Sequence, residues 1–278
     1  MIGKAELRRV AASGGHDLMA QDLDYCLGCL LYSFFQFADE TSLVFKGGTC
    51  LRKCYFDNYR LSEDIDFTAA AGLTPADFKR VVEEVRTKGS EYWGIDFRAA
   101  DAVFDEIEDE YGNASLKTRV YYRGPLRRAG DARGIDITAT LREVIVFPVR
   151  KRAILHGLYS DDEVFKSAAV PCYDLREILA EKMRAMFGQR RFVISRDLYD
   201  AYFLLESGVS IDDIGEAFPR KFQVKGLLYE RLDIAGLTSK KAEFERDWKR
   251  NLLHLLPDPP PVSFKAAWTK LIESISGS

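Results

Sequence analysis

This sequence has few of the residues that build metal centres and none of the long apolar runs that cross membranes. It contains three histidines, at positions 16, 156 and 254, and their spacing forms no ligand cluster. No apolar run is long enough to span a bilayer, and the polar N-terminal residues do not resemble a signal peptide. We therefore expect a cytoplasmic protein with no membrane partner.

Cysteine is also scarce, with five residues in the chain. An odd number without a secretion signal indicates free thiols rather than disulfides. Cys26 and Cys29 have the spacing of a zinc ligand pair, but they lie in an apolar helical pattern and no second pair matches them. Cys50 and Cys54 are one helical turn apart. On balance, the sequence argues against a structural zinc site.

An excess of positive charge is missing as well, because 40 Lys and Arg face 43 Asp and Glu, a net charge of −3. Local basic patches can still bind nucleic acid. Three such clusters are Arg119, Tyr121, Tyr122, Arg123, Arg127 and Arg128; Arg150, Lys151 and Arg152; and Arg184, Arg190, Arg191 and Arg196. Each alone is most simply a solvated face. Together they favour an RNA acceptor, since arginines beside aromatic rings suit stacked bases next to phosphates.

The 278 residues suffice for a sizeable core in one or two domains. Periodicity predicts an amphipathic helix over Leu23–Phe37, a helix from Thr74 to about Gly89, strands over Trp93–Ala99 and Leu116–Tyr122, and helices over Ser210–Ala217 (stopped by Pro219) and Glu243–Leu256. Strands are confined to the first part of the chain. We predict an α/β (α+β) fold in which residues 1–155 form a mixed-sheet core and residues 156–278 form a helical domain that closes the active-site cleft.

The most informative stretch begins with a short apolar run, Leu43–Phe45, that predicts a buried strand. Gly47 and Gly48 end this strand. Thr49 is a suitable cap for a helix over Cys50–Phe56. A Gly-Gly turn into a helix presents backbone N–H groups and a positive helix end, which suit a phosphate.

A second strand is predicted over Arg60–Thr68. Because residues two apart on a strand face the same side, Asp64 and Asp66 should point one way while Ile65 and Phe67 point into the core. Two adjacent carboxylates are costly unless positive charge lies between them, and Mg²⁺ or Mn²⁺ prefers such oxygen ligands. A lone Asp-x-Asp is more often a solvated turn or a helix cap, but the preceding Gly-Gly-Thr favours a site for a nucleoside triphosphate with Mg²⁺.

Gly134–Leu141 shows the clearest alternation in the chain, with Asp136 on the polar face. A two-metal phosphoryl transferase needs a third acid on a neighbouring strand. Asp136 is the best candidate for this third metal ligand. It is equally well explained as an exposed aspartate on a sheet face.

A capping pair, Asp174 and Glu177, opens a helix that should run to about Gly188. Lys182 lies on its apolar stripe, where a charge is expensive to bury. Either its stem packs while its head reaches water, or its ammonium reaches a triphosphate in the cleft. Under both interpretations, Lys182→Met should leave the fold as stable as before.

Gly47-Gly48-Thr49 followed by Arg60-x-Ser62-Glu63-Asp64-x-Asp66 resembles the AbiEii/AbiGii toxin family, which includes the MenT toxins. These are nucleotidyltransferase-like toxins of bacterial toxin–antitoxin systems with a polymerase-β-type core. The wider superfamily has Gly-Ser before the helix, and Thr49 keeps the hydroxyl. The resemblance continues to about residue 205.

Two later segments extend the resemblance. Glu181-Lys182-Met183-x-Ala185 is similar to the lysine helix of the family, which implies that Lys182 contacts the triphosphate. Arg196-Asp197-x-x-Asp200 matches the family's next helix start, which implies that Asp197 is an active-site residue and leaves Asp200 to hold the helix. Without the resemblance, Asp197 is explained by the helix dipole.

The resemblance implies an enzyme that transfers a nucleoside monophosphate from an NTP to an acceptor hydroxyl, at the 3′ end of tRNA, and so blocks translation. It also implies a cognate antitoxin and Mg²⁺ dependence. Three alternatives stay open: kinase-like transfer of the γ-phosphoryl to a protein such as the antitoxin, a nucleotide-binding regulator without catalysis, and an Asp-x-Asp glycosyltransferase. The intact aspartate pair with Lys182 argues against the regulator, and the Gly-Gly-Thr helix start argues against the glycosyltransferase.

Overall fold

A computed structural model describes residues 1–38, 43–69, 72–108, 113–126, 132–157, 159–190 and 192–277. The chain forms two compact units. The first comprises Met1–Arg142 and Arg150–Cys172, and the second comprises Glu143–Val149 and Tyr173–Ser278. The predicted boundary between residues 155 and 156 falls inside the first unit. No helix in the described ranges is long and apolar enough to cross a membrane.

The first unit is built on a mixed sheet, as the sequence predicts. Its strands are β1 (Leu43–Lys46), β2 (Asp64–Ala69), β3 (Val103–Glu108), β4 (Ala114–Tyr122), β5 (Arg133–Thr140), β6 (Arg150–Arg152) and β7 (Val170–Cys172). They form one seven-stranded sheet in the order β3-β4-β5-β2-β1-β7-β6. The pairs β2–β5 and β1–β7 are parallel and the others are antiparallel. β2 and β1 therefore lie at the centre, flanked by strands from later in the chain.

The helices of the first unit are α1 (Lys4–Gly14), α2 (Leu18–Gln36), α3 (Gly47–Cys50, continued by a π-helical turn over Leu51–Tyr55), α4 (Pro75–Trp93) and α5 (Asp162–Phe165). The helix predicted over Leu23–Phe37 is confirmed as α2, but it is covered on every side, since every residue from 21 to 34 is buried. α2 packs against α1, α4 and β2. Its buried Asp24 is compatible with this position because Lys53 donates a hydrogen bond to it at 2.8 Å.

Two predicted boundaries around α4 were wrong. The helix continues through Gly89, because a Cβ there would lie 2.8 Å from Oγ of Ser33, so the glycine allows close packing on α2. The strand predicted over Trp93–Ala99 does not form. Trp93 ends α4, Gly94 is left-handed at φ 65°, and Asp96 makes only an isolated bridge to Arg123. α1 and β3 have no counterpart among the elements predicted from the sequence.

The second unit is mainly helical, as predicted. Its helices are α6 (Leu175–Arg184, continued by a π-helical turn over Ala185–Gln189), α7 (Ser195–Glu206), α8 (Ala217–Gln223), α9 (Ile234–Ser239), α10 (Lys241–Asp247, continued by turns over Trp248–Leu252 and Leu253–Leu255) and α11 (Phe264–Ser276). The helix predicted over Ser210–Ala217 was wrong, because only Asp212–Ile214 forms a 3₁₀ turn. Pro219 lies in the first turn of α8, where its missing N–H costs no intrahelical bond.

A buried ion network explains why the segment 143–149 belongs to the second unit. Nζ of Lys221 lies 2.5 Å from Glu177 and 3.4 Å from Glu143, and all three side chains are almost fully buried. Glu177 also accepts hydrogen bonds from the backbone N–H groups of Val146 and Phe147. Burial alone would lower the pKa of Lys221, but the surrounding carboxylates outweigh it and raise that pKa.

Candidate active site

Gly47 brings the start of α3 against the second aspartate of the Asp-x-Asp motif. Its φ of +79° is a left-handed conformation that favours glycine, and a Cβ there would lie 3.1 Å from Oδ2 of Asp66. α3 begins at Gly47, directly after β1, with Lys46 as its N-cap residue. The backbone at this turn therefore approaches the Asp66 carboxylate more closely than a residue with a side chain would allow.

Thr49 has a different role from the predicted helix cap, because it lies inside α3. Its Oγ1 donates a hydrogen bond to the backbone carbonyl of Asp64 at 2.7 Å and lies 3.2 Å from Oδ1 of the same residue. The Thr49 side chain is almost fully buried. The hydroxyl thus fixes α3 to β2 at the position of the first motif aspartate.

The predicted facing of β2 is confirmed. Ile65 and Phe67 are fully buried, whereas Asp64 and Asp66 are half-buried on the opposite face. Residue pairs in adjacent strands share a face, and Asp64 is the register partner of Asp136 in β5. Neighbouring strands lie about 4.8 Å apart. The sheet therefore brings all three predicted carboxylates to adjacent positions on one face.

Two cations of β4 surround Asp136. Nζ of Lys117 lies 3.3 Å from Oδ2 of Asp136, and Arg119 lies 3.6 Å from Oδ1. All three side chains are about a third to a half exposed, so these pairs contribute at most about 1 kcal/mol to stability. Asp136 is consequently part of a mixed-charge group next to Asp64 rather than an isolated acid on a sheet face.

The donor set on this face suits a hard divalent cation. Carboxylate oxygens of Asp64 and Asp66 are ligands that Mg²⁺ prefers, and Asp136 offers a third carboxylate from the neighbouring strand. Gly47, at the start of α3, lies close to Oδ2 of Asp66. The residues therefore fit a divalent cation held by the carboxylates, beside a turn into a helix of the kind that suits a phosphate.

In the second unit, Lys182 forms ion pairs with two buried carboxylates. Its Nζ lies 2.8 Å from Oδ1 of Asp197 and 2.8 Å from Oδ2 of Asp200, and the two aspartate side chains are 3% and 0% exposed. Arg190 also donates a hydrogen bond to Asp197. These contacts argue against the expectation that Lys182→Met would leave stability equal or higher, because the change would remove a cation shared by two buried anions.

Sequence reasoning missed this network, although Asp197 and Asp200 are three residues apart and so share a face of α7. Asp197 and Arg190 also line a small open cleft within this unit, together with Lys240 and apolar side chains that include Met186, Phe192 and Phe244.

The basic clusters are less available for RNA than the sequence predicts. Arg184 is buried and pairs with Glu143 at 2.8 Å, and Tyr122 is buried, so neither can contact an external ligand without rearrangement. Arg123 pairs with Asp96 at 3.1 Å. The cluster in β6 is fully exposed, comprising Arg150, Lys151 and Arg152. Arg127, Arg128 and Arg191 lie outside the described residues.

A central strand with two outward carboxylates, next to a strand–Gly-Gly–helix turn in a mixed sheet, is the arrangement of a nucleotidyltransferase. The family model for the nucleotidyl transferase AbiEii toxin of type IV toxin–antitoxin systems matches residues 29–270. The chain belongs to this family. It is a nucleotidyltransferase toxin, which implies an NTP substrate and a cognate antitoxin.

Solved structures support the fold. The JHP933 protein of Helicobacter pylori is 15% identical, with a TM-score of 0.58 over 94% of this chain and 92% of that one. A second H. pylori structure, described as a nucleotidyltransferase, is also 15% identical, with a TM-score of 0.55 over 92% and 93% of the two chains. At this identity, the likeness establishes the fold alone. No curated protein matches the chain significantly.

Proposed function

We propose that the chain transfers a nucleoside monophosphate from an NTP to the 3′-terminal hydroxyl of tRNA, in a reaction that depends on Mg²⁺. The observation that carries this proposal is the shared face of Asp64, Asp66 and Asp136, combined with the approach of Gly47 to Asp66. Family membership supplies the reaction class. The tRNA acceptor and the metal are our extension of it.

Asp64 and Asp66 would hold the metal, and the backbone of Gly47 and Gly48 would receive the triphosphate. When bound, Mg²⁺ withdraws negative charge from the phosphate oxygens. Thr49 contributes indirectly, because its hydrogen bond to the Asp64 carbonyl fixes the distance between α3 and β2. In the reaction, the acceptor oxygen bonds to the α-phosphorus, the bond from that phosphorus to the bridging oxygen breaks, and pyrophosphate leaves.

Asp136 would act on the acceptor hydroxyl. Its carboxylate lies beside Asp64 and can accept the hydroxyl proton as the new bond forms. Lys117 and Arg119 keep that carboxylate in place and offer positive charge to a nucleic-acid backbone on the same face. The resemblance additionally assigns Lys182 to the triphosphate and Asp197 to the active site. Both roles stay predictions.

Exposed basic residues support an RNA acceptor. Arg119 is half exposed at the aspartate face, and β6 presents three exposed basic side chains at one edge of the same sheet. Binding that neutralises several phosphates releases counterions, so affinity for tRNA should fall by orders of magnitude over a few-fold rise in salt.

The deciding experiment incubates the purified chain with each NTP, labelled in separate reactions at the α- or the γ-phosphate, and with total cellular RNA. We expect α-label in an RNA of tRNA size, dependent on added Mg²⁺, and no transfer of γ-label. Periodate oxidation of the RNA, which destroys the 3′-terminal diol, should abolish acceptance.

Two other outcomes would redirect the proposal. Transfer of γ-label to protein in the presence of the antitoxin would establish kinase-like chemistry at the same carboxylates. Transfer of α-label to RNA that resists periodate would keep the reaction class and contradict the 3′ end as the acceptor.

A further inference from the structure

Three buried thiols meet in the first unit, away from the face that carries the aspartates. Cys50 ends α3, Cys54 lies in the π-helical turn that continues it, and Cys172 lies in β7. Their sulfur atoms all lie within 4.8 Å of one another. Among the described residues, this thiol cluster (Cys50, Cys54 and Cys172) is the one group of three or more metal-ligating side chains this close together.

The topology explains why residues so distant in sequence meet. β7 pairs in parallel with β1, and Cys172 is the register partner of Phe45. α3 starts directly after β1, and the sulfur atoms of Cys50 and Cys54 lie within 4.8 Å of that of Cys172. Cys50 and Cys54, four residues apart, face the same side of this helical segment. The pairing of β7 with β1 therefore brings the sulfur of Cys172 to those of Cys50 and Cys54, whose proximity the sequence spacing already indicates.

The sulfur separations suit a single metal ion. Metal–thiolate bonds of about 2.3 Å place the sulfur atoms of one ion about 4 Å apart. In the structure, no two of the three sulfur atoms are more than 4.8 Å apart, which is only slightly more than this separation. The three sulfur atoms are therefore close to the separation that one metal ion requires.

The surroundings tolerate the negative charge that such a site requires. The guanidinium of Arg152 stacks over the ring of Tyr55 at 4.4 Å, and the Tyr55 hydroxyl lies 3.7 Å from Sγ of Cys172. A positive charge therefore lies close to the thiol cluster.

We propose that Cys50, Cys54 and Cys172 bind one thiophilic metal ion, Cu(I) or Zn²⁺, through three sulfur atoms. Thiolate ligands select these ions over harder cations. Cu(I) would need no further ligand, whereas Zn²⁺ would take a fourth ligand from outside the thiol cluster. This site is chemically distinct from the carboxylate face, which suits Mg²⁺.

Metal binding would connect β7 to α3, the helix that begins at the Gly-Gly turn. Cys50 directly follows Thr49, which is bonded to Asp64. An ion that joins Cys50 to Cys172 would therefore stabilise α3 at its C-terminal end. The inference does not depend on the identity of the acceptor or on catalysis, since it concerns binding and stability.

The test uses the reduced, full-length chain without oxygen. Zn²⁺ is titrated against a chromophoric chelator, and Cu(I) is titrated against a Cu(I)-specific chelator in a separate arm. We expect one equivalent bound per chain and a higher melting temperature in at least one arm. Cys172→Ser should weaken binding by at least about 100-fold, because a lost ligand costs more than a lost outer-shell partner.

Cys29→Ser is the matched control, because Cys29 is equally buried but lies in α2 outside the thiol cluster. Its binding should equal that of the wild type. X-ray absorption on the metal-loaded wild type keeps the test independent of variant folding, and should show three sulfur neighbours at about 2.3 Å. Failure to bind either ion, equal loss in Cys29→Ser, or a shell of nitrogen and oxygen alone would overturn the proposal.

Discussion

Asp136 lies beside Asp64, as its register partner in the parallel pair of β5 and β2. Asp64 and Asp136 are far apart in sequence, and no local sequence pattern shows that β2 and β5 pair in this register. Their adjacency places a third carboxylate on the face that the Asp-x-Asp motif defines. On the side away from β2, Asp136 pairs with two cations of β4, Lys117 and Arg119.

The first prediction concerns Asp136→Asn. If the carboxylate accepts the proton of the acceptor hydroxyl, this change should slow transfer by at least about 100-fold. Stability should change by no more than about 1 kcal/mol, because the ion pairs of Asp136 are partly exposed. Lys88→Gln is the control, since it removes a partly exposed ion pair on α4 and keeps all three carboxylates, and it should transfer at nearly the wild-type rate. Full activity in Asp136→Asn would leave Asp136 as an ordinary residue of the sheet face.

The second prediction concerns the motif itself. Asp64→Asn and Asp66→Asn should each reduce transfer by at least about 100-fold, since each removes a charge that the phosphate site requires. The fold should survive, because both side chains are only half-buried. Asp105→Asn provides a matched control on the exposed strand β3 of the same sheet. Transfer rates and melting temperatures of the three variants decide the matter, and an active Asp64→Asn enzyme would exclude it as a metal ligand.

The third prediction separates backbone strain from contact at the Gly-Gly turn. Gly47→Ala should cost about 1–2 kcal/mol, because φ is +79° there, and should also reduce activity, because the new Cβ presses on Asp66. Gly94→Ala has comparable strain at φ +65° but nothing within 4 Å of its Cβ position. It should lose stability and keep its activity. Urea unfolding and transfer assays on both variants test this, and equal activities would show that the approach to Asp66 is not functional.

The fourth prediction is a pH dependence of stability. Burial lowers the pKa of His156 well below 6.5, with a contribution from Lys53. Below pH 6.5 the unfolded chain therefore binds a proton that the folded chain does not. The free energy of unfolding should then fall by about 1.4 kcal/mol for each pH unit below that value, until the folded pKa is reached.

Urea unfolding from neutral pH to about pH 5 measures this slope. His156→Phe should flatten it, because phenylalanine keeps the ring that stacks on Phe165 at 3.5 Å but does not titrate. His254→Gln, at an exposed position, should retain the wild-type slope. An unchanged slope in His156→Phe would assign the effect to other groups.

Local patterns were enough to predict the strand–turn–helix around Gly47 and the facing of Asp64 and Asp66, because both depend on residues close in sequence. The chemistry of a two-metal site predicts Asp136 on a neighbouring strand, but its parallel pairing and its register with Asp64 depend on which strands become neighbours, and local patterns do not contain that information. The same holds for Cys172, which reaches Cys50 and Cys54 only because β7 pairs with β1.

Tertiary contacts also overrode local signals. α2 has the apolar spacing of a half-buried helix, yet the structure covers all its faces from residue 21 to 34. Gly89 resembles a helix end in sequence, but it lies inside α4 because a glycine is needed for contact with Ser33. In both cases the deciding partner comes from a distant part of the chain.

The last prediction concerns Lys182, for which the structure reverses an expectation from sequence. Lys182→Met removes the ammonium shared by Asp197 and Asp200, both buried, and should destabilise the chain by about 3–5 kcal/mol. Adding Asp200→Asn removes one of the two anions and should recover part of that loss. Lys182→Arg keeps the charge but not the compact ammonium, and should be intermediate.

The double variant Lys182→Met/Asp200→Asn also separates the structural role of Lys182 from a role in catalysis. Assayed below its melting temperature, it should still transfer at least about 100-fold more slowly than the wild type if the ammonium meets the triphosphate. Asp200→Asn alone is the control, because it keeps Lys182 and its contact with Asp197. If the double variant matches that control in rate while it differs in stability, Lys182 serves only the ion network of its own unit, and the carboxylate face remains as the catalytic site without it.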